Sequence, residues 1–336
     1  MLDDRWMTVS GTVRIGVLGA ARIAPQAVIA PARASAEASV VAVAARDAER
    51  AAAFAARHGV PKVHASYEDL LADPDITAIY NPLPNGLHAP WTFAALQAGK
   101  HVLCEKPFTA NASEAEAVAE AAQRSGLVVM EAFHYRYHPV ARRMAEIVAS
   151  GELGELRHVR TSVCFPLPRF SDIRYRYDLA GGAMMDAGCY AAHMARLLGG
   201  EPEVVSARAK LRGPQVDRAM TAELRFPEGH TGTVTASMWS SDLLRISARA
   251  VGSLGELRVV NPLVPQLWHR ITVRTARGRR VERLDRRPSY SYQLDAFCDA
   301  VLRGQPTLTP PSDAVATMKV IDAVYLAAGL RPRGLD

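Results

Sequence analysis

The sequence predicts a two-part α/β protein: a doubly wound parallel sheet first, then an α+β part with a mainly antiparallel sheet. Three observations predict it. Near-continuous apolar strands alternate with helical segments up to about residue 132, the pattern of strands buried on both faces by helices. Beyond about residue 150, segments alternate apolar and polar residues, as strands with one buried face do. The length of 336 residues, 49% hydrophobic and 22% charged, is enough for two cores.

The elements follow in order. Residues 1–11 are polar, acidic near the start and without the apolar stretch of a signal peptide, and read as a disordered lead-in. A strand over residues 13–18 runs into Gly19, and a second over residues 40–44 ends at Ala45-Arg46-Asp47. An alanine-rich helix covers residues 47–58 and closes on Gly59. Short extended pieces at residues 62–64 and 78–80 precede a helix over residues 88–97. The strand His101-Val102-Leu103-Cys104, a helix over residues 111–124 closed by Gly126, and a strand over residues 127–130 complete the first domain, residues 12–132. In the second domain, residues 133–336, strands alternate over residues 203–211, 221–226 and 231–239. Helices are expected over residues 186–198, 290–302 and 312–328.

The net charge of +6 raises the question of nucleic acid. The densest basic run, residues 269–287, is interrupted by Glu282 and Asp285 and carries no aromatic platform. It reads as a solvated hairpin turning at Gly278, so no nucleic-acid partner is expected. No run reaches membrane-spanning length. Cys104, Cys164, Cys189 and Cys298 lack metal spacing and read as buried thiols in a reducing cytoplasm. No metal site is expected.

Two segments carry chemistry. Gly19-Ala20-Ala21-Arg22-Ile23-Ala24 sits where a strand meets a helix, in the place of the dinucleotide fingerprint G-x-G-x-x-G/A. Ala21 replaces the middle glycine and shifts the phosphates outward, which Arg22 can offset. Arg46, at the end of the second strand, suits a 2′-phosphate and favours NADP over NAD. Asp47 is the competing acid, or simply the cap of the next helix. Glu105-Lys106-Pro107 places a lysine at a strand end, where ligands of open α/β sheets bind, and it is one of only five lysines among 40 basic residues. Downstream, Asp186, Tyr190 and His193 fall at i, i+4 and i+7, on one face of a helix. For His193 a satisfied core histidine is the commoner outcome.

With Asn81-Pro82-Leu83-Pro84-Asn85-Gly86-Leu87-His88 and Gly181-Gly182-x-x-x-Asp186-x-Gly188-x-Tyr190, these residues make the chain resemble the glucose–fructose oxidoreductase / inositol dehydrogenase (Gfo/Idh/MocA) family over residues 12–330. Tyr190 stands where inositol dehydrogenases carry histidine. This resembles the tyrosine-type branch of dihydrodiol dehydrogenase, NADP-dependent xylose dehydrogenase and sugar 3-ketoreductase. Ala183 stands in place of the third glycine of the family's usual Gly-Gly-Gly, and the aromatic set from Phe133 to Tyr137 differs from the dihydrodiol enzymes. The resemblance implies a Rossmann domain, an open antiparallel sheet whose exposed face makes a dimer, and hydride transfer between NADP and a sugar, sugar derivative or vicinal diol. Tyr190 and Lys106 would be catalytic, with Lys106 and the helix start lowering the phenol's pKa. Asp186, His88, His193 and Tyr175 would meet the substrate, the last from a run, Arg174–Tyr177, that either covers the pocket or is a solvated loop. Gly19, Ala21, Arg22, Ile23, Arg46, Pro82, Leu83, Asn85, His88, Glu105 and Lys106 would bind the cofactor. The rival expectation is a non-catalytic NADP-binding sensor on the same fold.

Overall fold

The structure is a computed structural model that describes residues 11–334, so nearly all of the expected lead-in lies outside the described residues. The first sheet contains β1 (Val13–Leu18), β2 (Ala38–Ala44), β3 (Lys62–His64), β4 (Ala78–Asn81), β5 (His101–Cys104) and β6 (Val129–Glu131). They lie in the order β3-β2-β1-β4-β5-β6, and every pairing is parallel. This is the Rossmann order, and the winding reverses between β1 and β4, where the strands' carboxyl ends open a crevice.

The crossovers are helical: α1 (Ala30–Arg33), continuing a π turn over Pro25–Ile29, then α2 (Ala48–His58), α3 (Tyr67–Ala72), α4 (His88–Gln97) and α5 (Ala112–Ser125). Local chemistry sets their ends. The side chains of Asp47, Ser66 and Asn111 accept from the amides of Arg50, Asp69 and Glu114. Gly59 and Gly126 close α2 and α5 in the left-handed conformation. The six-residue α3 is too short for sequence periodicity to announce it.

After α6 (Pro139–Ala149) comes the second sheet. Its strands are β7 (Leu156–Cys164), β8 (Glu203–Leu211), β9 (Asp217–Arg225), β10 (Thr231–Ser237), β11 (Arg245–Gly252), β12 (Gly255–Val260), β13 (Arg270–Thr275) and β14 (Gly278–Glu282). The order is β14-β13-β12-β11-β7-β10-β9-β8, and only β7 and β10 pair in parallel. The helix α7 (Cys189–Gly199), preceded by a π turn over Met184–Gly188, covers one face together with α9 (Pro311–Ala327). Thr161 on that face donates to Ala191 O of α7 at 2.8 Å. The opposite face is polar. On it the exposed Arg160, Arg249 and Arg258 lie directly opposite one another on β7, β11 and β12. Among the described residues, no helix is long and apolar enough to cross a membrane.

The helix α8 (Ser289–Arg303) belongs to the second half of the sequence, yet it packs on the first sheet. Its Tyr290, Leu294, Phe297 and Cys298 recur at helical spacing and join one core with Val13, Ile15, Tyr80, Leu103 and Met130. Phe297 is fully buried there. Phe297→Ala should cost about 3–5 kcal/mol, and should lower the urea midpoint of the first domain as well as the second. Unfolding of the second domain alone would contradict this packing.

Candidate active site

The carboxyl ends of β1, β4 and β5 and the start of α7 enclose a cavity of about 240 Å³. Ile23, Pro82, Leu83, Pro84, Asn85, His88, Glu105 and Lys106 line it from the first domain. Asp186 and Tyr190 line it from the second domain, Ile173, Arg174 and Leu179 from the loop after β7, and Tyr290 from α8. Thus two catalytic candidates 84 positions apart in sequence, Lys106 and Tyr190, share one wall.

The Lys106 ammonium donates to Asp186 O at 3.0 Å and lies 3.9 Å from Asp186 Oδ1. It also sits over the Tyr190 ring, 4.9 Å from its centroid. Arg174 Nε lies 3.2 Å from the same Asp186 Oδ1, and Arg174 Nη1 lies 3.0 Å from Asp172 Oδ1. Asp186 is 7% exposed. Burial raises its carboxyl's pKa, and Lys106 and Arg174 offset this only in part, so the pKa stays above the usual value. Its Oδ2 is buried and has no hydrogen-bond partner among the described residues. Sequence reasoning named Arg174 only as part of a covering run. The loop brings it inward as a second cation for Asp186.

The phenol of Tyr190 departs from expectation. Burial raises its pKa well above 10, and its neighbours Tyr290, Glu105, Cys189 and Tyr135 push the same way. The Lys106 charge lies over the ring face and does not offset the desolvation. The group is therefore a neutral phenol at physiological pH, poised as a proton donor.

His88 is 1% exposed, with Nδ1 2.7 Å from Pro107 O and Nε2 2.7 Å from Leu83 O. A neutral ring has one N–H and can donate to only one of these carbonyls. His88 thus ties the loop after β4 to the loop after β5, besides lining the cavity. Asn85 Nδ2 donates to Ala180 O at 3.0 Å, fastening the same region to the second domain. Glu105 is buried and accepts from Tyr80 Oη at 2.7 Å. Tyr290, which sequence reasoning missed, is supplied by the unexpected return of α8.

Two expected substrate residues do not reach the cavity. His193 is 3% exposed, stacked on Phe133, hydrogen-bonded to the Tyr135 hydroxyl and 2.9 Å from Asp313 Oδ2. The π turn ending at Gly188 changes the spacing ahead of α7, so Asp186 and His193 do not stay on one stripe. Tyr175 is likewise buried, its hydroxyl donating to Leu167 O at 2.9 Å. The neighbouring Ile173 and Arg174 line the cavity instead.

The turn after β1 suits a dinucleotide. Gly19 has φ of +80° and a Cβ there would lie 3.1 Å from Leu83 Cδ2, so the position demands glycine. Ala24, fully buried, lets the helix pack against the strand. Arg22, Arg46 and Arg50 are exposed around this turn, and Arg50 Nη2 donates to Ala20 O at 3.1 Å. Asp47 is committed as the cap of α2, accepting from Arg50 N at 2.9 Å. These residues fit a cofactor bearing an extra phosphate on its ribose.

Fold and site together define a dinucleotide-binding oxidoreductase with its reaction chamber between two domains. The model described as "Oxidoreductase family, NAD-binding Rossmann fold" matches residues 13–133, and the "GFO/IDH/MocA C-terminal domain" matches residues 141–258. The chain belongs to the GFO/IDH/MocA oxidoreductase family. It is similar to D-xylose 1-dehydrogenase (NADP(+)) 2 of Haloferax volcanii, with 40% identity over 93% of this chain and 96% of that one. It is also similar to dTDP-3,4-didehydro-2,6-dideoxy-α-D-glucose 3-reductase of Actinomadura kijaniata, with 34% identity over 94% and 96%. The crystal structure of a 3-ketoreductase from that organism, in complex with NADP and TDP-benzene, superposes with a TM-score of 0.88 and 32% identity, covering 96% of this chain and 98% of that one.

Burial holds the His88 imidazole down at about 4, whereas in the unfolded chain it titrates near 6.5. As pH falls through this window the unfolded chain binds a proton that the fold refuses, so stability falls. That one ring should cost up to about 3 kcal/mol. His134 and His138, held down at about 3 and about 4, act in the same direction. Urea midpoints should drop between pH 7 and pH 4.5, and His88→Gln should flatten part of that slope.

Proposed function

We propose that this protein is an NADP-dependent oxidoreductase that transfers a hydride between the nicotinamide and a sugar, sugar derivative or vicinal diol. The observation that carries this reading is the meeting of Lys106 from one domain with Asp186 and Tyr190 from the other, at the carboxyl ends of a Rossmann sheet. Bound NADP supplies the hydride acceptor, or in its reduced form the donor.

The chain's own groups manage the proton and the fit. Gly19, Ala21, Arg22 and Ile23 would cradle the cofactor, Arg46 and Arg50 would hold its 2′-phosphate, and Pro82, Leu83, Asn85 and Glu105 would wall the nicotinamide. Tyr190, a neutral phenol, donates its proton to the carbonyl oxygen in reduction and recovers it in oxidation. The Lys106 ammonium, with donors left beyond Asp186 O, binds the same oxygen. The unpartnered Asp186 Oδ2 accepts from a neighbouring hydroxyl, and Arg174 orients that carboxyl and favours its charged form. A sensor would have no use for the acid and the ammonium on one wall.

General acid–base catalysis is worth about 10²–10⁴-fold. Tyr190→Phe should cut turnover by that factor and leave NADPH affinity nearly unchanged. Lys106→Ala should do comparable harm, and the double variant little more, because the two act as a unit. Because burial raises the phenol's pKa, oxidation should speed up with pH throughout the alkaline range without a plateau near neutrality, and reduction should stay flat there. A fully active Tyr190→Phe enzyme would remove the tyrosine from the mechanism.

Cofactor choice has its own test. Arg46→Asp should weaken NADP binding by about 2–3 kcal/mol, the scale of a charge-assisted pair. Equal affinity of the unaltered protein for NAD and NADP would contradict the assignment.

The polar sheet face, uncovered by helices, supports a homodimer joined through the second domains. Leu243 and Leu244, 55% and 75% exposed, add apolar area at the sheet's end. Light scattering should report twice the chain mass at micromolar concentration; a monomer would exclude this assembly. The four buried free cysteines support a reducing cytoplasmic location.

A further inference from the structure

The chain's C-terminal segment reaches a place that the reaction chamber does not itself touch. Arg333 and Asp217 are both fully buried. Asp217 Oδ2 accepts from Met184 N at 2.7 Å, the backbone amide that opens the turn carrying Asp186 and Tyr190. Its Oδ1 accepts from Tyr325 Oη at 2.9 Å and from Arg333 Nη2 at 2.8 Å. Arg333 Nε donates to Gly181 O at 2.8 Å, and its guanidinium stacks 4.1 Å from the Tyr325 ring centroid.

The same residue also faces the other domain. Arg333 O accepts from Asn111 Nδ2 at 2.8 Å. Asn111 caps α5 and ends the loop that begins at Lys106. The glycines before Asp186 make room for this junction. A Cβ on Gly182 would lie 2.2 Å from Asp217 Oδ1 and 2.9 Å from Arg333 Nη2, and Gly182 has φ of +147°.

We infer that Arg333 and Asp217 are positioning residues, which hold the start of the Tyr190 helix in register with the Lys106 loop across the domain boundary. Lys106 reaches Asp186 and Tyr190 only through a flexible side chain, which cannot fix the distance between the two domains. Arg333 fixes it through three bonds made within one residue: to Gly181 and Asp217 on one side and to Asn111 on the other. Misplacement of reacting groups by about 1 Å can cost on the order of a hundredfold in rate. The catalytic consequence rests on the oxidoreductase reading; the positional one does not.

Arg333→Ala would strand the buried Asp217 carboxylate and endanger folding, so the test uses Arg333→Lys and Asp217→Asn. Lysine keeps the charge beside Asp217 but loses the forked reach to Gly181. Both variants are assayed for NADPH binding by fluorescence, for D-xylose oxidation with NADP, and for amide hydrogen exchange. NADPH affinity should stay within about twofold, kcat should fall at least about tenfold with KM little changed, and exchange at Met184–Tyr190 should quicken while β1 and α2 keep their protection. Wild-type exchange at Met184–Tyr190 in folded Arg333→Lys would overturn the inference. So would an exchange increase spread evenly over the chain, the mark of general destabilisation. If the unaltered enzyme does not oxidise D-xylose, that choice of sugar fails, and the exchange data still decide the positional role.

Discussion

Asp186 is the constraint on which the rest depends. A carboxylate that is 7% exposed cannot stay charged unaided. Here it is held by an ammonium from the first domain and a guanidinium from the loop after β7. Removing a cation from such a buried site costs far more than the intact pair contributes, so its value lies in specifying one arrangement. That arrangement gathers Lys106, the covering loop and the start of α7 on one carboxylate, within the domain spacing that Arg333 and Asp217 hold. The His88 bracket and the Asn85–Ala180 bond then stiffen the walls around it.

The electrostatics also separate two ideas that are easily merged. A lysine beside a tyrosine suggests a depressed phenol pKa, but direction depends on where the charge sits relative to the oxygen. Over the ring face at 4.9 Å it contributes a cation–π contact, and desolvation wins. The same desolvation keeps His88 neutral. The chamber thus disfavours new charge in general and admits it only where Lys106 or Arg174 is at hand.

Much of this was legible in the sequence, and the reasons are local. β1, β2 and β5 are written as continuous apolar runs, and α2 and α5 are framed by Asp47, Gly59, Asn111 and Gly126, whose cap chemistry operates within a few residues. Lys106 and Tyr190 were legible through motif spacing. What escaped depended on distant partners. β7, with its arginines, histidine, serine and threonine, becomes a central strand only because β10 and β11 flank it. His193 is the satisfied core histidine that is the commoner outcome at such a position, but the partners that claim it, Phe133, Tyr135 and Asp313, are distant in sequence. The π turn before α7 leaves no sequence mark, and it takes Asp186 off the stripe that His193 follows. Arg174 was visible but not its direction, which the Asp186 carboxylate decides.

The return of α8 to the first sheet changes how the protein must be born. Val13, Ile15, Tyr80, Leu103 and Met130 present an apolar face whose cover includes Tyr290, Leu294 and Phe297. A ribosome adding roughly 5–20 residues per second needs on the order of ten seconds to travel from β6 to α8. For that interval the nascent Rossmann sheet is complete in its strands and bare on part of one side. The half that looks like an autonomous nucleotide-binding module is therefore the half that waits. Its final cohesion is a late event in synthesis, and a chaperone holding the early chain would have a defined surface to guard.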